Sequence, residues 1–214
     1  MLPPRYELHE QLRADSHGVS YRAFDRDTER PVEIRIWQTV DEFQWEAIQR
    51  RCRLAELIDS PYVRRVRALE LESKPAYLVI DPASEQSLED LWADQRPVAT
   101  PSAVRILHRI TLPLIAAHRV GSSHGQLLPS EIGWTGHPES EDCACCLDFT
   151  PRPANLQGSL AEDILRLSRL WEWLTAGAEG DSPADWQGLS ELLQSMQSPE
   201  PARRPTAMTV ATTL

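Results

Sequence analysis

The spacing of apolar residues changes once along the sequence, close to residue 81, and this change restricts the fold more than any other feature. Before it, short runs that partly alternate apolar and polar residues predict strands, and residues 41–57 predict one helix whose apolar side chains are Phe43, Ala47, Leu54 and the following Ile58. After it, most segments have helical spacing, with two short strands at 131–135 and 143–149. We therefore expect an α+β protein with a strand-rich part, residues 1–83, and a mostly helical part, residues 84–214.

The charge and the apolar content exclude several classes of protein. The chain has 32 acidic and 22 basic residues, which give a net charge of -10 and disfavour binding to nucleic acids or to anionic membranes. No apolar run approaches the roughly 18 residues of a membrane-spanning helix, and the first ten residues have no signal-peptide core. The 4 cysteines are too few for a disulfide framework in 214 residues, so we expect a cytoplasmic location.

Seven segments in order carry a resemblance to a known family. They are LRADSHGVSYRAFDR, RPVEIRIW, EFQWEA, SSHGQLLPSEI, LDFT, EDILRLSRLWEWLTAG and PEPARRPTAMTVATTL. In this order the segments resemble the glycine-rich loop, the lysine strand, the partner helix, the catalytic loop, the metal-binding D-F-G, the central helix and the last helix of eukaryotic-type Ser/Thr protein kinases. The resemblance implies two lobes, a small β-rich lobe over residues 1–83 and a shortened helical lobe over residues 84–214.

The resemblance places a nucleotide site between the lobes, in altered form. Of the three glycine positions in the phosphate loop only Gly18 is kept, and Asp15 at the second position should repel phosphates. Arg35 stands at the lysine position, where it could pair with Glu46 of the following helix. The Asp81 carbonyl and the Ala83 N–H correspond to the groups that face adenine.

The catalytic positions of the family are not intact. Gln126 stands at the position of the catalytic base, and a neutral amide cannot take a proton as a carboxylate does. Leu128 replaces the catalytic-loop lysine, and Glu131 replaces the metal-binding asparagine. Asp148 is retained as a metal ligand, so Asp148 and Glu131 form a candidate cation site. We expect His124 to be a packed structural residue.

The segment after LDFT is short. Only the 12 residues 151–162 separate it from Asp163 of the central helix, which leaves no room for an activation segment or an A-P-E motif. Arg204 matches the arginine that pairs with that motif, and we expect it to lack this partner. The resemblance thus implies a pseudokinase that requires no cofactor, binds Mg-ATP weakly at most, and acts on a protein partner such as an active kinase or an acidic surface. The alternatives are a divergent ATP- and Mg-dependent transferase and a nucleotide-sensing switch.

Two residue clusters have open interpretations. Cys143, Cys145 and Cys146 could bind zinc together with His137, or could be small buried residues of a strand. Arginines also cluster in two groups, which predict a solvated face or a docking patch for an acidic partner; these are Arg50, Arg51 and Arg53, and Arg64, Arg65 and Arg67.

Overall fold

An antiparallel sheet of five strands forms most of the first part of the chain. The computed structural model describes residues 2–38, 41–92, 97–136, 144–152, 158–176 and 187–214. The strands follow the order β1-β2-β3-β5-β4 in the sheet, and β2 and β3 pair in a continuous register that sets Ser20 opposite Arg35. The strand bounds are Tyr6–Asp15 (β1), Gly18–Asp25 (β2), Arg30–Trp37 (β3), Val66–Glu70 (β4) and Tyr77–Ile80 (β5).

The helix α1, Glu42–Glu56, lies between β3 and β4 in sequence and is capped by Asp41, whose side chain accepts a hydrogen bond from the Gln44 N–H. Its position agrees with the prediction, but the predicted buried face is wrong. Phe43 is 76% exposed, and the buried residues of the helix are Ile48, Arg51, Cys52 and Ala55. Ile48 and Cys52 pack against Leu78 and Ile80 of β5. This contact with the sheet sets the rotation of α1 about its axis. As a result, the buried face of α1 includes an arginine, Arg51.

The second part of the chain is mostly helical, and the mixed α+β class is confirmed. Its largest helices are α3 and α4, and a small three-stranded sheet lies beside them in the order β6-β7-β8. The bounds are Gln86–Ser87 (β6), Leu88–Trp92 (α2), Thr100–Arg119 (α3), Ile132–Thr135 (β7), Ala144–Leu147 (β8), Leu160–Thr175 (α4), Gln187–Met196 (α5) and Ala207–Thr213 (α6). None of the helices that the structure describes has the length and apolar character needed to cross a membrane.

The predicted apolar stripe of α4 is confirmed. All of its members are buried in the main core with α3, α5 and α6; they are Ile164, Leu167, Leu170, Trp171 and Leu174. Sequence spacing succeeds here because most of the large apolar residues of α4 recur at helical spacing on one face.

A short bridge joins the two parts of the molecule. Between α1 and β4, Val63 pairs in parallel with Leu147 at the end of β8. The Leu147 N–H donates to the Tyr62 carbonyl at 2.9 Å, and the Arg64 N–H donates to the Leu147 carbonyl at 2.9 Å. This bridge holds Arg64 next to Asp148, the residue that follows Leu147, and so positions the candidate site.

Candidate functional site

A cleft of about 330 Å³ lies between the five-stranded sheet and the helical part. Three of the residues that the sequence assigns to a nucleotide or metal site line it, namely Ala83, Glu131 and Asp148. Three arginines line the same cleft, and two of them, Arg64 and Arg152, contact its carboxylates. The chemistry of the cleft depends on how these arginines meet the carboxylates.

Arg64 is buried at the centre of the cleft. Its Nη1 donates to Asp148 Oδ2 at 2.7 Å, and its Nη2 donates to Glu33 Oε2 at 2.6 Å. The prediction of a solvated face is therefore wrong for Arg64, and it is also wrong for Arg51, which is 7% exposed. A guanidinium tolerates burial here because carboxylates on two different segments neutralise it.

Arg152 extends the same ionic contacts. Its Nη2 donates to Asp148 Oδ2 at 2.9 Å, and its Nη1 donates to Glu131. The structure thus brings Asp148 and Glu131 together, as the sequence predicted, but they meet at a guanidinium in place of an open cation position. We call Glu33, Arg64, Asp148, Arg152 and Glu131 the ion-pair row.

The electrostatics of Asp148 reflect this position. Burial alone would raise the pKa of Asp148, but the charges of Arg64 and Arg152 outweigh burial and hold the pKa far below its usual range. The Thr150 N–H and hydroxyl also donate to Asp148 Oδ1, at 2.9 and 2.6 Å. Asp148 is therefore an ionised carboxylate with both oxygens already bound.

The segment expected to face adenine is also bound within the protein. The Asp81 carbonyl accepts two hydrogen bonds from Arg64, from Nε at 3.0 Å and from Nη2 at 2.6 Å. The Asp81 N–H donates to the Arg65 carbonyl at 3.0 Å, and its carboxylate pairs with Arg67 at 2.6 Å. The carbonyl assigned to the purine thus has both lone pairs occupied. Ala83 is exposed and borders the cleft.

The phosphate-loop region folds as a tight turn between β1 and β2. Arg35 is buried and donates from Nη2 to both carboxylate oxygens of Asp15, at 2.8 and 2.9 Å. The expected pairing of Arg35 with Glu46 is replaced by this contact, and Glu46 is exposed. Burial would raise the pKa of Asp15, but the hydrogen bond from Arg35 prevails and the pKa is lowered. Asp15 is thus the counter-ion of a buried arginine.

The packing of this turn explains why residue 18 is a glycine. A Cβ at this position would lie 2.2 Å from the carbonyl oxygen of Ile36 on β3. Any side chain would force the two strands apart, so close strand packing explains the glycine without a phosphate.

The catalytic-loop region is organised around Asp163 at the start of α4. Asp163 is fully buried and accepts from the backbone N–H groups of His124 and Gly125, each at 2.7 Å, and its Oδ2 lies 2.9 Å from His118 Nε2. The imidazole of His124 packs edge-on against Phe149 at a centroid distance of 5.2 Å. His124 is a packed structural residue, as predicted, and burial lowers its pKa.

Two neighbouring positions of the same segment carry uncharged side chains. Leu128 is 40% exposed, and Gln126 is half-buried. Neither side chain can accept a proton or neutralise a phosphate.

Arg204 has partners that sequence reasoning did not identify. Its Nε donates to the Ser198 carbonyl at 3.0 Å, and its Nη1 donates to the Ala161 carbonyl at 2.9 Å and lies 3.9 Å from Glu162. Arg204 therefore ties the segment before α6 to the start of α4.

The cysteine cluster is described in part. Cys145 is buried with its thiol 3.2 Å from the Arg109 carbonyl, and Cys146 is half-buried on the other side of β8. Cys143 and His137 lie outside the described residues. Within the described ranges no three His, Cys, Asp or Glu side chains are grouped as a metal site.

Comparison with known proteins adds no assignment: no protein-family model matches the chain, and no curated protein matches it. The roles of Glu33, Arg64 and Arg152 were missed from the sequence. One signal was present, because Glu33 and Arg35 alternate with the apolar residues of β3 and so share one face of a largely buried strand.

Proposed function

We propose that this protein is a degenerate protein-kinase-like module of two lobes that transfers no phosphate and acts by binding another protein. The order of the seven motifs supports this proposal, as does the sequence of elements, in which a five-stranded sheet with one helix precedes a helical part. The observation that carries it is Arg64, which occupies the cleft where the family holds a nucleotide.

The ion-pair row opposes nucleotide binding energetically. A nucleotide that used Asp81, Asp148 and Glu131 would first have to displace Arg64 and Arg152 from them. Breaking a buried ion pair costs about 3–5 kcal/mol. A dissociation constant of about 1 μM corresponds to a binding free energy of about -8 kcal/mol. A nucleotide that made equally good contacts but had to break these ion pairs would therefore bind with a dissociation constant in the roughly millimolar range.

The reacting groups are missing as well. Phosphoryl transfer depends on positioning and on charge stabilisation, and a base must accept the proton of the attacking hydroxyl. Gln126 cannot accept it, and Leu128 brings no charge to the phosphate. The remaining role for such a module is to bind a protein, for which an active kinase or an acidic surface is the partner that we propose.

A nucleotide-sensing switch is the second candidate, and one contact favours it. Arg152 forms ion pairs with both Asp148 and Glu131, and its side chain is 16% exposed in the lining of the cleft. If Arg152 swung outward, the two carboxylates would be free to hold Mg²⁺ with a nucleotide.

Calorimetric titration with Mg-ATP tests the proposal. We expect the wild-type protein to show no dissociation constant below roughly 100 μM, which is weaker than about -5.5 kcal/mol. Arg152→Gln should bind equally weakly, because Arg64 still holds Asp148 and the Asp81 carbonyl. Arg166→Gln is the matched control, since Arg166 forms an ion pair with Glu162 on α4 and does not line the cleft.

Three results would contradict the proposal. Micromolar binding by the wild type would favour the switch, and tight binding gained only in Arg152→Gln would identify Arg152 as its gate. Incorporation of labelled phosphate into protein substrates, abolished by Asp148→Ala, would identify an active transferase.

A further inference from the structure

A second, larger cavity lies beside α1. Its volume is about 820 Å³, and it is bounded by α1, by the β1–β2 turn, by residues 121–123 and by Gly158. None of its lining residues lines the cleft that contains Arg64. Its size is that of a site for a small organic ligand.

Three buried polar side chains line this cavity and have a polar atom without a hydrogen-bond partner within the described residues. These atoms are Arg51 Nε, Ser122 Oγ and His17 Nδ1. The three residues are 7%, 2% and 5% exposed, respectively. A buried polar group without a partner costs about 1–3 kcal/mol, so three such groups in the wall of one cavity favour a bound polar molecule there.

The charge of Arg51 is also without a counter-ion in the described part of the chain. Its only described hydrogen bond runs from Nη2 to the Ser123 carbonyl at 2.6 Å, and no carboxylate lies within ion-pair distance. The two carboxylates whose charge reaches it are bound elsewhere, Asp163 by the His124 and Gly125 N–H groups and Asp148 by Arg64 and Arg152.

The acidic residues of the cavity wall do not neutralise the charge of Arg51. Asp41 and Glu46 are exposed at the rim, and the carboxylate of Asp41 accepts the capping hydrogen bond of α1. Arg50 is also exposed at the rim and adds a second positive charge. The buried end of the cavity is therefore cationic and rich in donors.

We propose that this cavity binds an oxyanion, a phosphate or carboxylate group, through Arg51 and Ser122, with the body of the ligand against the apolar side chains of the lining. A guanidinium and a hydroxyl in one cavity wall can satisfy two oxygens of one such group. Apolar surface in the lining of the same cavity comes from Phe43, which is 76% exposed, and from Leu54. The site is independent of the proposed function, because it shares no residue with the ion-pair row.

Thermal unfolding in sodium phosphate and in sodium acetate tests this site, with sodium chloride at equal ionic strength as the reference. We expect at least one of the two anions to raise the Tm with the logarithm of its concentration once that concentration exceeds the dissociation constant, by about 3 °C at ten times this constant. Phosphate also stabilises proteins without binding to a site, but that effect is shared by all variants. A response to phosphate identifies a phosphoryl ligand, and a response to acetate identifies a carboxylate.

Variants locate the effect. Arg51→Met should abolish the logarithmic rise in Tm, and Ser122→Ala should weaken the apparent affinity about tenfold while disturbing the fold less. Arg53→Met is the matched control, since Arg53 is exposed on the same helix and lies outside the cavity lining. The proposal is overturned if neither anion raises the Tm of the wild type beyond that of Arg51→Met, or if Ser122→Ala and Arg51→Met respond as the wild type does.

Discussion

Replacing Arg64 by methionine removes the central charge of the ion-pair row and keeps much of the side-chain volume. The guanidinium now bonds to Glu33, to Asp148 and to the Asp81 carbonyl. After the change Asp148 keeps Arg152 and Thr150 as partners. Glu33 loses its only described ion-pair partner while its side chain stays 13% exposed.

The expected cost follows from these contacts. Removing one partner of a buried ion pair destabilises a protein by about 3–5 kcal/mol, because a charge is left buried without compensation. With an unfolding entropy of about 2.1 cal/mol/K per residue over 214 residues, this range corresponds to a fall in Tm of roughly 7–11 °C.

Urea unfolding followed by circular dichroism measures the change directly. Arg67→Met is the matched control, because Arg67 forms an exposed pair with Asp81 close by, and an exposed pair contributes at most about 1 kcal/mol. The double variant Arg64→Met with Glu33→Met should be more stable than the sum of the two single changes predicts, since it removes both charges together.

The reasoning fails if Arg64→Met costs no more than Arg67→Met, or if the double variant is strictly additive. Either result would mean that displacing Arg64 from its carboxylates costs little free energy, and the argument against nucleotide binding would lose its energetic basis.

Three further outcomes are expected. The pKa of His124 in the folded protein lies below its ordinary 6.5, so the stability that its neutral form contributes is complete above pH 6.5 and is lost as the pH falls below that value. His124→Gln should therefore make the free energy of unfolding less dependent on pH between pH 7 and pH 5. An unchanged slope would contradict this. Gly18→Ala should destabilise by about 1–3 kcal/mol in urea, because its Cβ meets the Ile36 carbonyl, whereas Gly188→Ala meets open space and is the control. Asp163→Asn should lower the free energy of unfolding by about 1.5–3 kcal/mol, because it weakens the hydrogen bonds from the His124 and Gly125 N–H groups. The amide proton of Gly125 should then exchange faster with solvent, and an unchanged exchange rate would refute this.

The order of strands and helices could be read from the sequence alone, because that order depends on local spacing. β2, β3 and α4 lie where alternation or helical periodicity placed them, and the capping residues Asp41 and Thr206 precede their helices. The phase of α1 could not be read in the same way. Its apolar residues are spread around the helix, so contact with β5 chose the buried face and left Phe43 in solvent.

The positions of Asp148 and Glu131 near each other were also predictable, through the resemblance of their motifs. Their partners were not, because Arg64 is 84 residues from Asp148 in sequence and reaches it only through the bridge between Val63 and Leu147. The charges of a chain follow directly from its residues, and local periodicity indicates which helices and strands it forms. Which charges meet is a long-range property of packing. Here packing alone decided that two arginines bind the carboxylates of the cleft and that Arg51 is buried without a counter-ion among the described residues.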